Sequence, residues 1–170
     1  MADLPSEILV CVDFSEGSEK VLAAAAKLAG PLGASIHLLH VAAPEPTFFG
    51  YDRPGGPRDR DTRAEELLDE HEALRILADA VRETGLEVTP LLIKGPTIDM
   101  ILGEAEHLDA DLVVAGSHGH GAVHRFLVGS TTESLIRRSE RPVLIVPVHD
   151  DDATGGEGDD AGTTGSDGAA

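Results

Sequence analysis

Five short apolar runs alternate with four stretches whose apolar residues recur at helical spacing. This alternation constrains the fold more than any other feature of the chain. Residues 8–14 read as a continuous apolar strand, and residues 15–32 as a helix with Val21, Leu22, Ala25, Leu28, Ala29 and Leu32 along one stripe; Gly33 stops it. Residues 35–41 form the second strand. A polar loop rich in proline and glycine runs from residue 42 to about residue 61. Thr62 and Glu65 then have the spacing of a capping box. The helix they open places Leu67, Leu74, Leu77 and Val81 on one face and ends near Gly85. Residues 86–93 are the third strand. Pro96 sits where a helix can begin, and Ile98, Ile101, Leu102, Ala105 and Leu108 line that helix. Residues 111–115, 129–140 and 142–148 complete the pattern as strand, helix and strand.

Strands that are apolar on both faces belong to parallel sheets covered by helices on each side. Right-handed crossovers then leave few topologies. The class is therefore α/β. A chain of 170 residues holds one compact domain, placed here over residues 1–148. Aromatic residues make up only 3%, so aliphatic residues and alanine must fill the core. From His149 onward the composition changes. Residues 149–170 contain seven acidic residues, no lysine or arginine and no large apolar side chain. Such a segment cannot bury enough surface to offset its ordering entropy, so a disordered acidic tail is expected.

The formal net charge of -18 argues against nucleic acid and against an anionic membrane surface as partners. No stretch approaches the length of a membrane span, and the N-terminal residues lack the features of a signal peptide. A cytoplasmic location is the expectation. The single Cys11 makes no internal disulfide, which fits a reducing compartment, and reads as a small buried residue. Only Lys20, Lys27 and Lys94 are lysines among thirteen basic residues. An acidic, lysine-poor surface suggests a halophilic protein, because salt screens the self-repulsion of a large net charge.

The chemistry concentrates where the fourth strand ends. Gly116, Ser117, His118 and Gly119 form a glycine-rich loop, and Gly129 with Ser130 opens the last helix. Backbone N–H groups in glycine loops and at helix starts point at anions, so the segment reads as a phosphate cradle. No GKS or GKT follows, which excludes a Walker loop, and the first strand lacks the GxGxxG dinucleotide fingerprint. In open parallel sheets ligands sit beyond the carboxyl ends of the strands, where strand order reverses. If the first and fourth strands are neighbours, Asp13, residues 41–44 and residues 116–118 converge on one crevice. Two of these features carry competing readings. Asp13 either caps the following helix with Ser15 or holds a ribose, an adenine amine or a metal ion. Ser130 and Glu133 in STTE have capping-box spacing, and Ser130 is equally placed to donate to a phosphate.

His118, His120 and His124 invite a metal reading, but no cysteine lies nearby and their spacing sits in a loop, so the metal is left unknown. His118 or Arg125 against a phosphate suits the loop better. The run AGSHG around Ser117 faintly resembles a nucleophile elbow. A long loop follows instead of the sharp turn into a helix that a serine hydrolase needs, and the late histidine, His149, sits at the base of the expected tail.

These residues together resemble the ATP-binding branch of the universal stress protein family. That branch carries G-x2-G-x9-G-[S/T], matched here by Gly116, Gly119 and Gly129-Ser130. ILVCVDFS, LLHV, Lys94-Gly95-Pro96 and RPVLIVP are also similar, so the resemblance covers about residues 5–148. It implies a five-stranded parallel sheet of order 3-2-1-4-5, of the adenine nucleotide alpha hydrolase-like kind. It also implies that Val12 and Asp13 meet the adenosine end of ATP and that Val41 contacts adenine through its backbone. Ala115, Gly116 and Gly119 would line the ribose and phosphate path. Gly129, Ser130, Thr131 and Thr132 would bind the phosphates, often with a divalent ion such as Mg or Mn. Ser117, His118 and Arg125 complete the candidate set. Dimerisation through residues 142–148 is implied as well. The function it implies is ATP binding in stress response or signalling, through conformation or partner choice. No obvious general base or arginine finger is present, so rapid turnover is not expected. A slow nucleotide hydrolase or transferase is one alternative, and a dimeric interaction module that needs no ligand is another.

Overall fold

Parallel pairing on both sides of one central strand organises the molecule. The computed structural model describes residues 4–42, 57–117 and 129–148. Along these run β1 (Glu7–Val12), α1 (Gly17–Leu32), β2 (Ser35–Ala42), α2 (Pro57–Arg82) and β3 (Val88–Lys94). Then follow α3 (Thr97–His107), β4 (Leu112–Gly116), α4 (Ser130–Arg138) and β5 (Val143–Val146). The sheet order is β3-β2-β1-β4-β5, with every pairing parallel. β1 pairs with β2 from Glu7 opposite Ser35 to Val12 opposite His40, and with β4 from Ile8 opposite Leu112 to Val10 opposite Val114. The expected α/β class and strand order are therefore those observed.

The two-residue alternation of the strands divides the core into two layers. Ile8, Val10, Ile36 and Leu38 pack against Val21, Leu22, Ala25 and Ala29 of α1 and against Leu74 and Ala78 of α2. Leu9, Leu39, Val113 and Ala115 pack on the other face, against Ile101 and Ala105 of α3 and Leu135 of α4. Burial on both faces explains why the strands read as unbroken apolar runs.

Element ends differ from the sequence reading for local reasons. β1 stops at Val12 because the backbone turns at Phe14, whose φ of 59° is left-handed. α2 begins at Pro57, so Thr62 and Glu65 lie inside the helix and form no capping box at its start. Proline is pre-organised for a first helical position, and the charged residues after it continue the helix without an apolar stripe. α1 ends where expected, with Gly33 left-handed at φ 66°. The last helix runs from Ser130 to Arg138, with Gly129 as its N-cap and no side-chain capping bond. The STTE capping box is therefore not formed: Glu133 instead pairs with Arg137 at 2.9 Å. The expected tail, residues 149–170, lies outside the described residues.

At the end of the sheet where β1 and β4 begin, Asp111 joins the two strands. Its Oδ2 accepts from the Ser6 amide at 2.8 Å, the Ser6 hydroxyl at 3.0 Å and the Glu7 amide at 3.1 Å. The Ser6 amide, then that of Glu7, holds this carboxyl below the usual aspartate range. A carboxylate whose folded pKa is depressed adds stability above its unfolded pKa of about 3.9 and loses it as pH falls through the lower folded value. Asp111→Asn should thus narrow the stability gap between pH 7 and pH 3 relative to the unaltered protein. Denaturant midpoints at the two pH values measure this, and an unchanged gap would contradict it.

Candidate functional site

A cavity of about 480 Å³ opens beyond the carboxyl ends of β1, β2 and β4. Its position follows from the topology: crossovers leave β1 and β4 on different sides, so the strand ends at the reversal stay uncovered. The volume falls in the range of small-molecule sites. One side is apolar, formed by Cys11, Leu39, Val41, Ile101 and Leu135. Asp13, Ser15, Ser18 and the first turn of α4 supply the polar lining of the cavity.

The β1–α1 turn is built around Asp13. Its Oδ1 accepts from the Ser15 amide at 3.1 Å, the Ser15 hydroxyl at 2.6 Å and the Ser18 hydroxyl at 3.2 Å. Asp13 thus organises the turn and lines the cavity at once. His40 supports the same turn from β2. Its Nδ1 lies 2.8 Å from the Val12 carbonyl, which fixes Nδ1 as the donor. The ring packs on Phe14 with centroids 4.2 Å apart. The buried imidazole therefore holds both the last carbonyl of β1 and the left-handed residue after Asp13.

On the other flank, Thr132 donates its hydroxyl to the Gly116 carbonyl at 2.9 Å, fastening α4 to the end of β4. Ser117 is a three-way joint. Its amide donates to the Val146 carbonyl at 2.8 Å and its carbonyl accepts from Gly129 at 3.0 Å. Its hydroxyl oxygen accepts from the Val148 amide at 3.0 Å. The first bond within α4 runs from the Glu133 amide to the Gly129 carbonyl at 2.9 Å. The amides of Ser130, Thr131 and Thr132 therefore have no partner within the helix, and the positive end of its dipole faces the cavity. The Gly129 amide itself is used by Ser117.

Of the residues singled out from sequence, Val12, Asp13, Val41, Ala115, Gly116, Gly129, Ser130, Thr131 and Thr132 line this one cavity. Ser117 is buried behind the lining, as the joint just described. His118, Gly119 and Arg125 lie outside the described residues, as do His120 and His124. Among the described residues no group of three or more His, Cys, Asp or Glu is arranged to hold a metal. Sequence reading missed His40, Gly17, Thr97 and Val148 as lining residues. His40 left a trace as a polar residue near the end of an apolar strand. Val148 left none, because its role depends on where β5 ends against α1. Burial pushes the Cys11 thiol up to about 12, so the group facing the apolar side is neutral.

Comparison with known proteins adds four findings. A family model described as the universal stress protein family matches residues 6–147. A universal stress protein of Mycolicibacterium smegmatis is 33% identical over 152 residues, covering 85% of this chain. The chain spans only 48% of that relative's length. A universal stress protein of Thermus aquaticus is 30% identical over 140 residues, which is 82% of this chain and 96% of the other. Among solved structures, a universal stress protein from Archaeoglobus fulgidus in complex with dAMP matches with a TM-score of 0.60 at 27% identity, covering 82% of this chain and 96% of that one.

The cavity wall at Val148 is tight. A Cβ added at Gly17 would fall 2.2 Å from Val148 Cγ1 and 2.9 Å from Cγ2. Glycine to alanine in an open helix is worth up to about 1 kcal/mol of stabilisation. Here valine is stiff at χ1 and must be displaced, at a cost of about 1–3 kcal/mol. Gly17→Ala should therefore destabilise the protein in urea, and Val148→Ala in the same chain should remove most of the loss. A stabilising Gly17→Ala would mean that the wall yields freely.

Proposed function

This chain belongs to the universal stress protein family, and on that premise we propose that its cavity binds an adenine nucleotide, with ATP as the full ligand. The observation that carries the reading is the first turn of α4, whose amides lack partners within the helix and open onto a cavity also lined by apolar side chains. A polyphosphate suits the first feature and a planar base suits the second. The Archaeoglobus relative in complex with dAMP supports the same ligand class.

In this reading adenine lies against Val41, Leu39 and Ile101, with Val12 and Asp13 at the adenosine end. Ala115, Gly116 and Gly119 follow the ribose and phosphate path. Ser130, Thr131 and Thr132 hold the phosphates by their amides, with the Ser130 and Thr131 hydroxyls added, and Gly129 allows their close approach. His118 and Arg125 add contacts from the intervening loop, and Ser117 fixes that loop's entry. Among the described lining residues there is no lysine or arginine. At these walls recognition rests on neutral dipoles, and a divalent ion, Mg or Mn, would neutralise the phosphates when bound.

The protein would act in stress response or signalling, through nucleotide-dependent conformation or partner binding, with at most slow hydrolysis. A homodimer would form through residues 142–148, because β5 is an edge strand and its four residues are only half-buried. No described helix is long and apolar enough to cross a membrane. A cytoplasmic site of action and function in concentrated salt belong to the same proposal.

Calorimetry in high salt tests the ligand. ATP, ADP and AMP should bind, and the absence of binding by all three would overturn the reading. Gly129→Val should weaken ATP about tenfold or more, equivalent to about 1.4 kcal/mol, by crowding the phosphate approach. Unchanged affinity would make Gly129 a helix boundary only. Cys11 gives an independent reporter. Its neutral thiol should alkylate slowly at pH 8 and more slowly still with ATP present, and mass spectrometry of the labelled protein reads both rates.

A further inference from the structure

Among the described lining residues of the cavity, His40 is the one imidazole. It stands on β2 between Leu39 and Val41, opposite Val12 of β1. The residue is only 9% exposed. Its Nδ1 donates to the Val12 carbonyl at 2.8 Å, and its ring centroid lies 4.2 Å from that of Phe14. These two contacts fix the ring. Turning it over would set a carbon against the Val12 carbonyl and forfeit the bond. The far nitrogen, Nε2, has no hydrogen-bond partner among the described residues. With the hydrogen on Nδ1, the neutral ring leaves Nε2 a lone pair and nothing to donate. The hydroxyls of the lining behave differently. Those of Ser15 and Ser18 donate to Asp13, and that of Thr132 donates to the Gly116 carbonyl. A hydroxyl can also rotate to donate or to accept, so it tolerates either kind of ligand edge, whereas the fixed imidazole offers an acceptor only.

We infer that His40 is a specificity-determining residue of this cavity: its Nε2 accepts a hydrogen bond from the adenosine part of the ligand, given by the exocyclic amine of adenine or by a ribose hydroxyl. The inference rests on the nucleotide reading above and assigns a residue to the adenosine end, where Val12 and Asp13 stand in that reading. An acceptor left without a donor in a nearly buried side chain costs free energy, so a ligand that supplies the donor gains over one that does not. Adenine carries a donor at N6, where guanine carries an acceptor oxygen. Ribose hydroxyls donate as well, and a deoxyribose has one fewer. A site that holds a fixed acceptor rejects an analogue lacking the matching donor more strongly than an apolar pocket rejects a change of shape. The two jobs of the ring are linked: the bond that ties Nδ1 to Val12 is what commits Nε2 to accepting.

Calorimetry on the full chain, at about pH 8 where an ordinary imidazole is uncharged, compares ATP with three analogues that each lack one donor. Purine riboside triphosphate lacks the 6-amine, and 2′-deoxy-ATP and 3′-deoxy-ATP each lack a ribose hydroxyl. The unaltered protein should bind one of the three about three- to tenfold more weakly than ATP, and that analogue names the donor. His40→Asn keeps a side-chain N–H at the place of Nδ1 and removes Nε2. It should bind ATP about three- to tenfold more weakly and should hold ATP and that analogue within about twofold of each other. A second readout needs no substitution. In protein labelled with 15N histidine, the His40 Nε2 resonance should move upfield when ATP is added, as a lone pair that gains a donor does, and should move less with the discriminated analogue. Equal binding of all four ligands by the unaltered protein would overturn the inference. So would an asparagine variant that keeps the unaltered ratios, since His40 would then only support the Val12 turn. An Nε2 resonance unmoved by bound ATP would overturn it whether or not the variant folds. In each of these cases ATP still binds and the nucleotide site stands. Absence of binding by all four ligands would instead remove the site, and the role of His40 with it.

Discussion

The site depends on β1 having a parallel partner on each side. From β1 the chain crosses one face through α1 to β2, and β4 reaches its other edge only after α3 has covered the opposite face. The helices diverge where the two crossovers part, and the carboxyl ends of β1 and β4 lie open between them. Strand interiors buried on both faces admit almost no polar groups, so polar chemistry is pushed to these ends. Asp13 follows Val12, and Ser117 follows Gly116, each directly beyond its strand.

Most polar side chains at those ends are used to build the walls. Asp13 gathers Ser15 and Ser18, His40 holds the Val12 carbonyl, Thr132 holds the Gly116 carbonyl and Ser117 receives the Val148 amide. A wall locked by its own side chains presents main-chain donors at fixed positions, which is the preorganisation that anion recognition needs. Dipoles of this kind attract phosphate without cationic side chains. That suits a chain with thirteen basic against thirty-one acidic residues, where lysines and arginines are scarce.

Several features were legible because they are local. The left-handed Gly33 ends α1, Leu74, Leu77 and Val81 of α2 pack into the core, and Ile101 and Ala105 of α3 are buried on the face opposite α1. Others misled because their chemistry fits two geometries. STTE has the spacing of a capping box, but the helix begins one residue earlier on Gly129, so Ser130 is the first helical residue and Glu133 turns to Arg137. Thr62 and Glu65 have the spacing of a helix start, but α2 begins five residues sooner at Pro57. The place of Ser117 in the glycine loop suggests a ligand residue, and the structure adds a bond from an amide 31 positions away to its hydroxyl. Sequence spacing carries no record of such a partner.

The sequence by itself determined the class, the alternation of elements and the residues that gather at the strand ends, because hydrophobic period and backbone stereochemistry act over a few residues. Membership of the family was legible for the same reason, since its glycine spacing is a local pattern in the chain. Only the tertiary structure decided which polar groups face the cavity and which are consumed in its walls. That choice pits a local hydrogen bond against one closed by the sheet, and the sheet brings Val148 to Ser117 and Gly17 from distant parts of the chain.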